Sequence, residues 1–178
     1  MSIAVRRVRA GEGARVRELR LRAVRDPNAA IAFLTTLEEE LERDDAFWEQ
    51  RAASGAEGDA VAMFVAETGE AWVGSATVLV RRAGDLDHTG SRVVADRCDV
   101  VGVYVDPVAR GLGAIDELLE SCARWCAAQG FETLSLDVHV DNARAQAAYR
   151  RAGFVETGET FTASIGPELA MSRSLRDL

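Results

Sequence analysis

The stretch VDPVARGLGA, residues 105–114, decides the fold of this chain, because it joins a buried strand to a long helix. Residues 97–105, which lead into it, are apolar on both faces of a predicted strand and indicate a strand covered on both sides. After Pro107, apolar residues recur every three or four positions until Gly130, which is typical of an amphipathic helix that ends at a glycine. The sequence therefore predicts a strand, a tight turn and a helix.

The turn itself has the composition of a phosphate-binding loop. Gly111 and Gly113 allow backbone N–H groups to converge without obstruction by a Cβ, and the helix that follows adds free N–H donors and a partial positive charge. A plain tight turn would explain the glycines but not Arg110 beside them. A dinucleotide fingerprint would need its third glycine at Asp116, and the chain contains no Gly-Lys-Ser or Gly-Lys-Thr of a Walker loop.

Strand and helix patterns extend outward from this loop in both directions. Thr36 and Glu39 have the spacing of a capping box, and Gly153 is placed to end the last helix. The predicted elements are strand 3–9, helix 12–25, helix 36–52, strands 60–66 and 72–81 as a hairpin, loop 84–97, strand 134–140, helix 145–152, and two short strands near Val155 and Leu169.

Length and composition limit the class of protein. A chain of 178 residues is the usual size of one domain, so we expect a single domain over residues 1–178. The net charge of -8 argues against a nucleic-acid partner, and the absence of a long apolar run or a signal-like start predicts a cytoplasmic protein with no membrane partner. The three cysteines have no metal-binding spacing and cannot all pair, so neither structural zinc nor disulfides are expected.

A second motif lies downstream of the glycine loop. It consists of Asn142, Ala145 and Tyr149, followed by Gly153 and Phe154. Together with the loop and its lead-in Val-x-Pro, this pattern resembles the GNAT superfamily of acyl-CoA-dependent N-acyltransferases, whose signature is Arg/Gln-x-x-Gly-x-Gly/Ala. The order of strands and helices matches that family over nearly the whole chain.

The resemblance implies a fold and a donor site. The fold would be α/β, with a mixed, twisted sheet of about six or seven strands, about four flanking helices, and a splayed parallel strand pair that admits acyl-CoA. Backbone groups of Val103, Tyr104 and Val105 would hold the acyl-pantetheine arm, and a backbone N–H near Val105 would polarise the thioester carbonyl. The pyrophosphate would be bound by Arg110, Gly111, Gly113 and Ala114, and Asn142 would hydrogen-bond the pantetheine.

The resemblance also implies catalytic roles for two residues. Tyr149 would be the general acid that protonates the leaving thiolate, although its spacing alone would fit an aromatic residue on the apolar face of a helix. Asp99 matches the place where many family members carry a glutamate that acts as base, often through water. It is one methylene shorter than glutamate, and a residue that merely begins the strand would fit the same position.

One position departs from the family signature. Its final Gly/Ala is Ile115 in this chain, and a β-branched side chain there narrows the approach to the pyrophosphate. Ile115 also continues the apolar stripe of the predicted helix.

Two other groups of residues can be interpreted in more than one way. Asp137, His139 and Asp141 alternate on one strand face and could form a metal or acid–base cluster, but an exposed polar edge is favoured; His139 is a second candidate for proton transfer. Cys122 and Cys126, one helical turn apart, are expected in the core.

Together these features predict an acetyl-CoA-dependent N-acetyltransferase that needs no metal. A primary amine would attack the thioester directly in a ternary complex, since no nucleophile is placed for a covalent intermediate. The alternative is a non-catalytic module that binds acyl-CoA as a sensor or interaction subunit. The acceptor could be a small molecule or a peptide amine, and a homodimer would fit the family.

Overall fold

The alternating strands and helices of the sequence assemble into one mixed sheet with helices on both faces. The computed structural model describes residues 2–178. This part of the chain contains seven strands: β1 (Ala4–Arg7), β2 (Val61–Thr68), β3 (Ala71–Arg81), β4 (Arg97–Val105), β5 (Thr133–His139), β6 (Val155–Ala163) and β7 (Gly166–Ser174). The sheet order is β1-β2-β3-β4-β5-β7-β6, so β7 lies between β5 and β6. The predicted α/β fold with a mixed sheet is confirmed.

The sheet consists of two antiparallel halves joined by one parallel contact. Strands β1 to β4 pair antiparallel in chain order, and β5, β7 and β6 pair antiparallel as a second group. Between the groups, β4 and β5 run parallel but pair only at Cys98 with Leu134 and at Asp99 with Ser135. Beyond Asp99 the two strands diverge, which confirms the predicted splayed pair.

Five α-helices flank the sheet within residues 2–178. They are α1 (Gly13–Ala23), α2 (Leu37–Leu41), α3 (Asp45–Ala56), α4 (Ala114–Ala128) and α5 (Ala143–Arg151). Each of these helices is too short or too polar to span a bilayer.

The prediction of one helix over residues 36–52 was wrong, because the chain forms α2 and α3 there. The capping box at the start of α2 is confirmed: the Glu39 N–H donates to Thr36 Oγ1, and the Glu39 carboxylate accepts from the Thr36 N–H. A second cap then begins α3, since Asp44 accepts from the Phe47 N–H at 2.8 Å.

The two faces of the sheet have separate cores. Helix α4 packs its apolar stripe on one face, where Cys122 and Cys126 are fully buried as predicted. Helices α1 and α3 cover the other face around Leu19 and Trp48, each 1% exposed. Because both cores are complete without β4–β5 pairing beyond Asp99, the gap between these strands can stay open.

Candidate active site

The gap between β4 and β5 is a cleft of about 580 Å³. Each strand is held by its other neighbour: β4 pairs with β3 as far as Val105, and β5 pairs with β7 along its whole length. The edge of β4 from Val100 to Val105 that faces β5 therefore has backbone groups without a strand partner. An extended ligand with amide groups can pair with such an edge in the way that an added strand would.

A β-bulge shapes this open edge. The register between β3 and β4 shifts between Ser75, which faces Tyr104, and Thr77, which faces Val101. Gly102 takes up the extra residue with φ of 62°, in the left-handed region that favours glycine. The bulge bends β4 and re-aims the backbone of Val103 within the cleft.

The glycine loop closes one end of the cleft and presents unpaired N–H groups to it. Gly111 and Gly113 have φ of 77° and 84°, and a Cβ added to either would meet no atom within 4 Å. Within residues 2–178, the N–H groups of Gly111, Gly113 and the first three residues of α4 donate no hydrogen bond. The 15-residue helix α4 directs its positive end at the same space. Residues 111–116 thus form a backbone cradle suited to an anion.

Arg110 lies beside this cradle, but its guanidinium already forms an ion pair with an acidic side chain. Its Nε donates to the Val105 carbonyl at 3.1 Å, and its Nη2 contacts Asp26. Burial alone would raise the pKa of Asp26, but hydrogen bonds from the Asn28 N–H and from Arg110 outweigh it and hold that pKa below its ordinary value. Asp26 stays ionised, so a phosphate would compete with it for the guanidinium.

Ile115, the residue that departs from the family signature, has its side chain at the cleft. It lines the cavity next to the loop glycines and also packs partly against the core of α4. The β-branched side chain therefore occupies space on the wall where an anion would approach the N–H cradle.

Tyr149 projects from α5 into the opposite wall. The residue is 8% exposed and packs against Phe154, with ring centroids 6.1 Å apart. Its hydroxyl makes no hydrogen bond within residues 2–178, and burial raises its pKa well above the ordinary value of 10.0. The phenol is therefore protonated throughout the physiological range and can donate a proton into the cleft.

Asn142 begins α5 and borders the cleft. Its Oδ1 caps the helix by accepting from the Ala145 N–H at 3.2 Å, which leaves its Nδ2 available as a donor. Gln146 fixes the helix to the end of β5 by donating to the carbonyls of His139 and Val140. These bonds hold Tyr149 and Asn142 in one rigid unit.

The cleft brings together the predicted site residues with one exception. Asp99 lies at the closed end of the strand pair, outside the lining of the cleft. Arg97 Nε is 3.1 Å and Arg81 Nε 3.4 Å from its carboxylate. The catalytic role of Asp99 stays a prediction, and its two arginine partners offer a structural reason for its presence.

Sequence reasoning named Asp137 and His139 as a possible acid–base cluster but missed Glu168 and His88 on the same wall. The interpretation of Asp137 and His139 as an exposed edge was wrong: both line the cleft, and only Asp141 is exposed. Glu168 of β7 lies directly across from His139, and His88 reaches Glu168 from the loop after β3, with Nε2 to Oε2 at 3.3 Å. The alternation on β5 was the available signal, but the position of β7 was needed to interpret it.

Burial changes the chemistry of Asp137. Removal from water raises its pKa from 3.8 to about 6, while His88 and Arg97 lower it and Asp99 and Glu168 raise it. No group of three or more His, Cys, Asp or Glu side chains in residues 2–178 is arranged to hold a metal ion.

Comparison with known proteins places the fold among solved structures. Solved structures that resemble the chain include a phosphinothricin acetyltransferase of the GNAT superfamily from Sinorhizobium meliloti in complex with acetyl-CoA (TM-score 0.72, 20% identity, covering 98% of this chain and 89% of that one). An acetyltransferase of the GNAT family from Streptococcus pneumoniae has a TM-score of 0.73 at 17% identity, with 97% and 99% covered. The PaiA N-acetyltransferase from Thermoplasma acidophilum, in complex with coenzyme A, has a TM-score of 0.69 at 16% identity, with 98% and 99% covered.

These TM-scores establish a shared fold. No curated protein sequence matches the chain. The Acetyltransferase (GNAT) family matches residues 17–154, a range that includes the open edge of β4, the glycine loop and Tyr149. The chain therefore belongs to the GNAT family of acetyltransferases.

Proposed function

We propose that this protein transfers the acetyl group of acetyl-CoA to a primary amine. The observation that carries the proposal is the unpaired edge of β4, which ends at the N–H cradle of residues 111–116. Such an edge fits the two amides of a pantetheine arm, and the cradle fits a pyrophosphate. The left-handed glycines leave the cradle open, since no atom occupies the space where their Cβ atoms would lie.

Each side of the donor site has a defined task. The backbone of Val103, Tyr104 and Val105 would pair with the pantetheine, and an N–H at the bulge would donate to the thioester oxygen and stabilise the charge that develops there. Arg110, Gly111, Gly113 and Ala114 would hold the pyrophosphate, and Asn142 Nδ2 would donate to the pantetheine arm. Acetyl-CoA supplies the activated acyl group.

Tyr149 would act as the general acid. The acceptor nitrogen forms its bond to the carbonyl carbon, the carbon–sulfur bond breaks, and the Tyr149 hydroxyl gives its proton to the departing sulfur. A hydroxyl that is protonated, unbonded and open to the cleft supports this role. Asp99 stays the base predicted from the sequence, and the cytoplasmic location and a homodimer likewise stay predictions.

Calorimetric titration with acetyl-CoA tests the donor site. Gly111→Val places a side chain in the cradle, and we expect the affinity for acetyl-CoA to fall at least about tenfold, or about 1.4 kcal/mol. The matched control is Gly58→Val, because Gly58 has φ of 76° against 77° at Gly111, has equal room for a Cβ, and lies in a turn away from the cleft. Equal affinities in both variants would contradict the proposed site.

Release of CoA tests the transfer itself. The wild-type protein is mixed with acetyl-CoA and a panel of primary amines, and free thiol is measured over time. Amine-dependent release supports the transferase. Saturable acetyl-CoA binding without release for any amine would instead support an acyl-CoA-binding sensor.

A further inference from the structure

The charged side chains at the closed end of the cleft fall into a balanced and an unbalanced group. Asp99 has Arg81 and Arg97 as partners, and Asp87 lies 3.4 Å from the same Arg97. Two carboxylates thus face two guanidiniums. This balanced group needs no ligand to neutralise it.

Asp137 and Glu168 form the unbalanced group. The Asp137 side chain is 29% exposed and the Glu168 side chain 7%, and both line the cleft. Their only basic neighbour within 4.0 Å among residues 2–178 is His88, with Nε2 at 3.8 Å from Asp137 and 3.3 Å from Glu168. The two carboxylates are partly shielded from water and have one histidine between them. They therefore leave a surplus of negative charge directed at the cleft.

A buried histidine beside this pair has one ring nitrogen without a partner among residues 2–178. His139 is 5% exposed and lines the cleft, and its Nδ1 accepts the Asp141 N–H at 3.1 Å. The neutral ring therefore carries its proton on Nε2, which makes no hydrogen bond within residues 2–178. This N–H is available as a donor to a polar ligand in the cleft.

The position of His88 is fixed by packing. Its ring lies edge-on to Phe161 of β6, with centroids 5.8 Å apart, and its side chain is 20% exposed. The imidazole thus contacts the two carboxylates on one side and solvent on the other. The imidazole can therefore pass a proton from the carboxylates to solvent.

On this basis we propose that Asp137, supported by Glu168 and His88, binds the ammonium group of the acceptor and takes its proton. The proposal rests on the acetyl transfer proposed above. It assigns to β5 a catalytic base that the sequence pattern placed at Asp99 on β4.

The proton balance of this step is complete. The ammonium gives one proton to the Asp137 carboxylate, which passes it through His88 to solvent. The neutral nitrogen then attacks the thioester carbon, Tyr149 protonates the sulfur, and the second proton lost by the nitrogen restores the phenol. One proton is released for each amide formed.

The electrostatics of Asp137 suit a base that works near neutral pH. Its pKa of about 6 lies close to the pH at which the enzyme would work, where a general base is most effective. His88, Arg97, Asp99 and Glu168 all act on this carboxylate, so its protonation depends on the whole cluster. We expect kcat/KM to fall as the pH drops through about 6, because protonated Asp137 accepts no proton.

The same charges select a class of acceptor. Two carboxylates attract an ammonium group and repel a carboxylate carried by the same small molecule. The preferred acceptor is therefore a cationic primary amine without an acid group, such as a diamine, and amino acids are disfavoured.

The decisive experiment compares cadaverine with lysine, which differ by one carboxylate. In the wild type, kcat/KM for cadaverine should exceed that for lysine at least about tenfold, or about 1.4 kcal/mol. Asp137→Asn should lower kcat for cadaverine by about 10²- to 10⁴-fold and remove the fall near pH 6. The matched control is Asp141→Asn, four residues along the same chain segment but 80% exposed, which should keep the wild-type rate and pH profile.

Binding provides a readout that does not need turnover. Cadaverine should bind the complex with CoA in calorimetry, more weakly after Asp137→Asn, and lysine should bind less than cadaverine. A wild-type pH profile in Asp137→Asn, or equal use of both amines, would overturn the proposal, as would a loss confined to Asp99→Asn. Failure of the wild type to bind acetyl-CoA would contradict the proposed transferase instead.

Discussion

The donor half and the acceptor half of the cleft are built in different ways. The donor half uses backbone N–H groups from one continuous segment, residues 102–116, which glycines open and a helix end polarises. The acceptor half uses side chains from three separate segments: the loop that carries His88, strand β5 and strand β7. A continuous backbone site leaves a local pattern in the sequence, whereas a wall of side chains from distant segments does not.

The largest expected effect comes from Tyr149, which lies between the two halves. Tyr149→Phe should lower kcat by about 10²- to 10⁴-fold, because the proton for the leaving sulfur is lost. Acetyl-CoA affinity and the midpoint of urea unfolding should stay at the wild-type value, because the hydroxyl makes no hydrogen bond to any of the described residues, 2–178. A fall in affinity equal to the fall in kcat would instead place Tyr149 among the donor-binding residues.

A buried carboxylate outside the cleft sharpens the comparison. Glu40 of α2 is 2% exposed, with Arg20 Nε at 2.7 Å and Thr35 Oγ1 at 2.6 Å. Glu40→Ala leaves the Arg20 guanidinium without its carboxylate partner, so the free energy of unfolding should fall by about 3–5 kcal/mol in urea denaturation. Glu38→Ala on the exposed side of the same helix is the control, and an equal loss there would show that the ion pair is not responsible.

Asp137 should show the opposite sign, because the cost of burying its charge outweighs the attraction of His88 and Arg97. Its pKa is about 6 when folded and about 3.9 when unfolded, so the folded state binds the proton more tightly. The cost of the charged form is absent below about pH 4, grows as the pH rises through about 6, and reaches about 2–3 kcal/mol above it.

Urea denaturation of Asp137→Asn at two pH values measures this cost. The variant should exceed the wild type in stability at pH 7.5 and match it at pH 3.5. A variant that is less stable than the wild type at pH 7.5 would show that Asp137 is compensated in the way that Glu40 is.

The smallest effect tests the one departure in the donor half. Ile115→Ala removes the β-branched side chain from the cleft wall, and acetyl-CoA affinity should rise about three- to tenfold, or on the order of 1 kcal/mol. Ile165→Ala in the turn between β6 and β7 is the control and should leave the affinity unchanged. Weaker binding in Ile115→Ala would show that the isoleucine supports the loop and does not obstruct it.

The parts of the fold that were predictable from sequence are those with local causes. The strand, glycine loop and helix of residues 97–130 were predicted closely, because periodicity, capping and left-handed glycines act within a few residues. The break between α2 and α3 had a local signal too, in the cap at Asp44, but the apolar spacing across it concealed the break.

The acceptor wall could not be predicted in the same way. Asp137 and His139 were interpreted as exposed because the sequence does not show which strand pairs with the other edge of β5. That strand is β7, the last in the chain, which lies between β5 and β6. Likewise, Arg81 is seen as a partner of Asp99 only once β3 and β4 are paired, whereas Arg97 lies two residues away on the same strand. Long-range pairing decides which polar residues face a cavity, and periodicity along one strand shows only which of them share a face.

The two halves of the sheet are joined only by the two residue pairs between β4 and β5, Cys98 with Leu134 and Asp99 with Ser135. Four strands lie on one side of this junction and three on the other, and β4 and β5 no longer pair beyond it. A gap that is closed at one end limits the length as well as the width of a bound group, because an acyl chain that extends toward the closed end meets the paired backbone of β4 and β5. The same two residue pairs that hold the sheet together would then limit the size of the acyl group that can be transferred.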